Sequence, residues 1–236
     1  MSGAKPKRFY ETAAAVEADG RHGIALDGKP VRTPAGRPLA VPVAALAGAV
    51  AAEWTAQKEE IDRETMPLTR LVCTALDLVP DRREDIVAEV AAYAETDLVC
   101  YRTEEPPALA RRQAAAWGPL VAWAAERYDA HLAVTTSITP LAQPPAALDA
   151  LRTAVAAEDD FGLAGLSLAT RAFGSVVIAL ALREGQLDAE AAAGASLVDE
   201  RYQRERWGED AELAGRCSRV ARDAADAERL FSLLAA

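Results

Sequence analysis

The sequence predicts an α+β protein, with a small N-terminal antiparallel β domain followed by a larger all-helical domain. Three observations carry this. Two Asp-Gly pairs, Asp19-Gly20 and Asp27-Gly28, separate short apolar runs, and Asp-Gly in that setting marks tight hairpins. From Pro42 onward the apolar residues recur at helical rather than alternating spacing. Alanine is prominent, with hydrophobic residues at 51% and aromatics at only 6%, which favours helices with small side chains at their contacts. The expected division is a β-rich domain over residues 1–41 and a helical domain over 42–236. That boundary is open to a shift, with 130–136 as an isolated extended segment.

In the first part, residues 15–18, 23–26, 29–33 and 38–41 read as strands, with a further turn at Pro34-Ala35-Gly36. So small a sheet needs a partner surface to be stable. Pro42 is placed to open a helix over 43–58. Pro67 starts the next, over 68–78, and Pro80 ends it; 82–95 is amphipathic again. Residues 96–102 fit either a helix end or a short extended piece. Pro106 and Pro107 open a long helix to about residue 128, carrying Trp117 and Trp123. Residues 131–136 fit a strand. Pro144 and Pro145 open another helix, 161–183 is the most apolar one, and 189–206 and 210–234 complete the chain. No repeat of fixed period is present.

The net charge of −10 argues against a nucleic-acid surface, which would show a basic field. Residues 1–40 hold seven basic and four acidic side chains, leaving 19 basic and 32 acidic in the remainder. The acidic bulk would steer a basic or mixed partner surface toward it. Cys73, Cys100 and Cys217 are odd in number and form no Cys-x-x-Cys pair, which points to thiols in a reducing compartment. The N-terminus has no apolar signal core. The longest apolar run, 175–182, falls far short of the roughly 20 residues needed to span a bilayer. A cytosol-like monomer without membrane insertion is expected.

The residues supply no catalytic set. His22 and His131 stand without a serine or cysteine nucleophile signature, and no phosphate-cradling glycine loop is present. Glu95 and Asp97 are spaced i, i+2 and point apart on a helix. Asp77, inside an apolar helix, needs a partner, for which an arginine is the simplest. Trp54 reads as core, and 66–69 as a packed helix start. No catalytic, cofactor-binding or metal residue is assigned, and a binding or chaperoning role fits better than an enzyme.

The most informative stretch is 199–210. As a helix end it pairs Glu200 with Arg204 and Arg201 with Glu205, sets arginines at the negative end of the dipole, closes at Gly208 and caps the next helix with Asp210. A solvated helix end leaves Trp207 unexplained. A large ring beside Glu209 at a turn suits a protein-binding spot.

Taken together, several motifs resemble one family. They are Lys7-Arg8-Phe9-Tyr10, the 26–31 run Leu-Asp-Gly-Lys-Pro-Val with Thr33-Pro34, Glu53-Trp54 with Gln57, and Met66-Pro67-Leu68-Thr69. Thr96-Asp97-Leu98 with Cys100-Tyr101-Arg102, Trp117 with Pro119-Leu120, Asp199-Glu200, Tyr202-Gln203 and Trp207-Gly208-Glu209-Asp210 complete the set. In this order, across about 7–212, they resemble the ATP12 family in its α-proteobacterial form: assembly chaperones for the alpha subunit of the catalytic sector of ATP synthase. The resemblance implies a β-rich N-terminal and a helical C-terminal domain, no enzymatic activity and no cofactor. It also implies that an unassembled alpha subunit is held until the beta subunit replaces it. The setting implied is the bacterial cytoplasm, or the mitochondrial matrix in eukaryotic relatives. The family ties a carboxylate in the Trp-Gly-Glu turn to function, here Glu209, with Glu200 and Trp207 in the same motif. Gln203, Gly208 and Asp210 complete the implied partner-binding set. Where some members carry a functional carboxylate on the preceding long helix, this chain has Ser167 and Leu168, so nothing is transferred there. Two other readings remain: an adaptor for another complex, and a hydrolase using Asp97 or Asp77 with an arginine.

Overall fold

The computed structural model describes residues 5–18, 20–208 and 210–236. Four short strands come first: β1 (Ala13–Ala18), β2 (Arg21–Leu26), β3 (Lys29–Pro30) and β4 (Ala40–Val41). All pairings are antiparallel. β1 lies along the whole of β2, with Ala13 opposite Leu26 and Ala18 opposite Arg21. The other edge of β2 is shared, since β3 pairs with Ala25 and Leu26 while β4 pairs with His22 and Gly23. Asp27 and Gly28 both have positive φ, 47° and 76°, the backbone a two-residue hairpin requires. The Asp27 carboxylate also accepts from the Thr12 and Glu11 amides, at 2.8 and 3.0 Å. These bonds, the Thr12 amide first, hold its pKa below the usual carboxylate value. The expected turn at Asp19-Gly20 includes Asp19, which lies outside the described residues.

The chain then becomes helical: α1 (Ala44–Thr55), α2 (Pro67–Asp77), α3 (Val79–Ala91), α4 (Pro107–Tyr128), α5 (Pro145–Ala156), α6 (Asp160–Phe173), α7 (Val176–Arg183), α8 (Ala189–Ser196), α9 (Val198–Trp207) and α10 (Ala211–Leu234). Prolines open α2, α4 and α5, where their missing N–H costs nothing. Pro80 does not end a helix. It sits in the first turn of α3, and the local break falls at Arg82 (φ −131°, ψ 23°).

Two compact units result. One holds the described residues up to Arg83 with Asp160–Ala164 and Arg229–Ala236; the other holds Glu84–Asp159 and Gly165–Glu228. In the first unit, α1 covers β1 and β2, supplying the surface the small sheet needs. Tyr10, Leu26, Ile61 and Met66 form a buried cluster, with Ala13, Val31 and Trp54 against it. Its polar ties are local. Glu53, buried in α1, accepts from the Leu68 and Thr69 amides at 2.9 and 2.8 Å and caps α2. Gln57 accepts from the Asp62 amide at 2.7 Å and donates to Thr65 at 3.1 Å, fixing the linker between α1 and α2.

Further along the chain, three expectations fail for identifiable reasons. The apolar run 161–183 is two helices, because Gly174 takes φ +68° and Ser175 caps α7, its hydroxyl accepting from the Ile178 amide at 3.0 Å. The run 189–206 is also two helices, broken at Leu197 (φ −110°, ψ 25°). There the Ala195 carbonyl accepts from the buried Trp117 indole at 2.8 Å, and the Ser196 hydroxyl donates to the Phe173 carbonyl. Residues 131–136 form no strand: Thr135 makes one bridge to Tyr101. The side chain of Gln143 replaces a neighbouring strand, bonding both the N–H and C=O of Ala133 at 2.8 and 2.9 Å. Short 3₁₀ helices, Ala92–Thr96 and Leu98–Cys100, flank Asp97, so 96–102 is a helix end followed by one further turn rather than an extended piece.

Candidate partner-binding surface

α9 is short and strongly charged, and only Val198 and Tyr202 are buried on it. A helix with so small an apolar stripe needs other ties, and α4 and α10 provide them. Tyr202 is buried against α4, where the Arg112 guanidinium lies 5.3 Å from its ring centre; Arg206 approaches the same ring at 5.9 Å. Arg112 also pairs with Glu205 at 2.7 Å, which keeps the Glu205 carboxyl below its usual range. Gln113, buried in α4, donates to Asp199 at 2.7 Å and accepts from the Thr103 amide at 2.7 Å. From α10, Arg216 meets Glu200 at 2.9 Å.

These contacts revise the expected pattern along α9. Glu205 turns to Arg112 rather than Arg201, and Arg201 lies back across α8, where a methyl at Gly194 would come within 3.1 Å of it. Glu200 is half-buried against Arg216. Gly208 closes α9 with positive φ, but at φ 87° and ψ 178° it is in an extended, glycine-only region rather than the left-handed helical one. Asp210 caps α10, accepting from the Leu213 amide at 2.8 Å.

Of the residues singled out from the sequence, Gln203, Trp207, Gly208 and Asp210 are exposed, and Glu209 lies outside the described residues. Trp207 is 77% exposed. Sequence reasoning missed Arg112, Gln113 and Arg216. Gln113 left a signal, because it stands four residues before the core residue Trp117 and so shares its buried face. Arg112 and Arg216 left none, since arginine on a helix surface is commonplace.

A family model described as ATP12 chaperone protein matches residues 7–125. Atp12 of Paracoccus denitrificans has the same fold, with a TM-score of 0.93 at 38% identity over 97% of this chain and 98% of that one. The chain belongs to the ATP12 chaperone family. An aspartate-to-lysine variant of the P. denitrificans protein matches equally, with a TM-score of 0.93 at 37% identity over 98% of this chain and 99% of that one. Protein atp12, mitochondrial, of Schizosaccharomyces pombe is 25% identical over 218 residues, spanning 86% of this chain and 74% of the relative. α9 lies beyond the stretch matched by the ATP12 model but inside the region shared with the P. denitrificans structure.

The carboxylates weighed for catalysis have other work in this ATP12 chain. Asp97 is wholly buried, accepting from the Val99 and Val177 amides at 3.2 Å each, with Ser175 bonded to it as well. Burial pushes its pKa up to about 6, against the pull of those donors. Asp77 is held by the Thr33 hydroxyl and the Ala35 amide. The arginine partner expected for it is replaced by these two donors. Among the described residues neither carboxylate pairs with an arginine, and no group of three ligating side chains gathers. The three thiols are free; Cys100 is buried, and Cys73 and Cys217 are half-buried. Burial pushes Cys73 up to about 11 and Cys100 up to about 12, so both stay protonated near neutrality.

Proposed function

We propose that this protein holds the unassembled alpha subunit of the F-type ATP synthase catalytic sector and releases it to the beta subunit, with no enzymatic step. Membership of the ATP12 chaperone family supports the reading. The observation that carries the binding face is Trp207, 77% exposed at the end of a helix otherwise tied down by Arg112, Gln113 and Arg216. An aromatic on a rigid, charged mount has the makeup of an interface anchor. A lone alpha subunit exposes apolar surface meant for its neighbours, and such patches aggregate unless covered. Displacement by the larger native interface gives release a direction without nucleotide hydrolysis. Glu209, Glu200 and Gln203 supply polar contacts around the anchor, while Gly208 and Asp210 shape the turn. The expected setting is the bacterial cytoplasm, and the expected state a monomer; no described helix is long and apolar enough to cross a membrane.

Co-purification from the native host with a tagged chain tests this. Free alpha subunit should accompany the protein without stoichiometric beta, and Trp207→Ala or Glu209→Lys should reduce the yield. Recovery of a different complex, with unassembled alpha shown to be present, would replace the chaperone reading by the adaptor one.

A further inference from the structure

The β-containing unit carries a second feature that the α9 surface does not use. A groove of about 550 Å³ has Leu39, Trp54, Ile61 and Met66 among its walls. Phe9 stands at its edge, 73% exposed. Arg32, Arg63 and Arg70 also line it, and no carboxylate is among the described lining residues. In a chain of net charge −10, an apolar trough bordered only by cations is a local inversion of charge. Arg63 makes no ion pair among the described residues. Among the described residues Arg70 has only a long 3.5 Å side-chain contact, to Glu64, and Arg32 donates to the Gly36 carbonyl at 2.7 Å.

The backbone adds direction. Arg32 stands opposite Pro38 in an isolated antiparallel bridge whose hydrogen bonds run through the flanking residues, Leu39 N–H to Val31 and Thr33 N–H to Arg37. The N–H and C=O of Arg32 therefore point away from that bridge, and neither has a partner among the described residues. An unpaired extended residue beside an apolar trough can take another extended chain.

We propose that this groove binds an extended segment of the client polypeptide that places a large apolar side chain against Phe9 and Trp54 and carboxylates against Arg63 and Arg70. The inference rests on the chaperone reading above and adds to it a second contact, specific for acidic–apolar sequence. A client held at α9 and by one extended segment gains effective concentration from the pair, and each weak contact can be displaced in turn.

The test uses the full chain and a fluorescein-labelled peptide, Asp-Glu-Leu-Phe-Val-Glu-Asp. Two controls replace its acidic residues by lysine or its apolar residues by serine. The acidic–apolar peptide should bind with saturation, and both controls should fail. The double variant Arg63→Glu/Arg70→Glu changes only exposed side chains, so it should fold normally and bind roughly tenfold more weakly. In the ¹H–¹⁵N spectrum the Trp54 indole resonance should move on titration while that of Trp207 stays. Equal binding of the lysine control, full affinity in the double variant, or a shift confined to Trp207 would each overturn the proposal. Alpha-subunit capture is measured in parallel. Capture lost in Trp207→Ala, with no peptide bound by the parent chain, removes the groove and leaves the chaperone reading standing. Peptide binding by a chain that ignores alpha removes the client assignment and keeps the groove.

Discussion

The carboxylate of Glu53 and residue Thr69 are bonded twice: the Thr69 amide and hydroxyl both donate to the same oxygen, Oε2, at 2.8 Å. The other oxygen accepts from the Leu68 amide at 2.9 Å. One buried side chain thus satisfies the free N–H groups that begin α2 and favours the positive end of its dipole. This ties together the Glu-Trp and Met-Pro-Leu-Thr motifs, which are separate in sequence. Glu53→Ala leaves those donors buried without acceptors, and is expected to cost about 3 kcal/mol. Urea unfolding should show it as a lower midpoint with an unchanged slope.

Asp97 gives the chain a specific pH response. Its folded pKa, about 6, lies above the ordinary 3.8 because burial penalises the charged form. A carboxyl raised on folding takes up a proton, so its favourable contribution is complete below pH 3.8 and is lost as pH rises through about 6. Compared with Asp97→Asn, the parent should gain on the order of 3 kcal/mol in relative stability between pH 7 and pH 4. Unfolding curves for both proteins across that range measure the difference. A parallel pair of curves would contradict the raised value.

Asp210 and Trp207 separate capping from recognition. Asp210→Ala removes the cap of α10 and should cost about 1 kcal/mol while leaving alpha-subunit capture largely intact. Trp207→Ala removes an exposed ring, should leave stability within about 0.5 kcal/mol of the parent, and should reduce capture. Unfolding and capture measured on both variants distinguish the roles.

Gln113 bridges the Thr103 amide and Asp199 from inside α4. Gln113→Ala leaves the half-buried Thr103 amide without its acceptor and should cost about 1–2 kcal/mol. Arg112→Ala breaks an exposed pair that solvent screens, and should lower the unfolding midpoint less than Gln113→Ala does. The same ordering should appear in hydrogen exchange of the α9 amides, with faster exchange in the glutamine variant.

Hairpin and helix starts were legible because they depend on neighbours in sequence. Asp27-Gly28 adopts the backbone its chemistry demands, and Pro67, Pro107 and Pro145 stand at the first turn of their helices. Apolar periodicity runs through the breaks at Gly174 and Leu197 and hides both. The first had a local signal, a glycine followed by the capping Ser175, which Asp97 reinforces from a distance. The second had none, because the group on the Ala195 carbonyl, Trp117, comes from a distant segment. The cap at Asp210 was readable, being three residues from the amide it satisfies. The true partners of Glu200 and Glu205, Arg216 and Arg112, were not.

The sequence by itself determined the hairpin at Asp27-Gly28, the change from strand to helix after Val41, the proline-marked helix starts and the family, since periodicity, turn chemistry and motif order are local or linear properties. Tertiary structure alone decided which carboxylates are structural and which rings are exposed. Glu53 and Asp97 are absorbed by helix N-termini from other parts of the chain, whereas Trp207 stays exposed at the very end of α9, beyond the residues that α4 and α10 hold. Burial is a property of what folds against a residue, and residues far apart in the chain supply it.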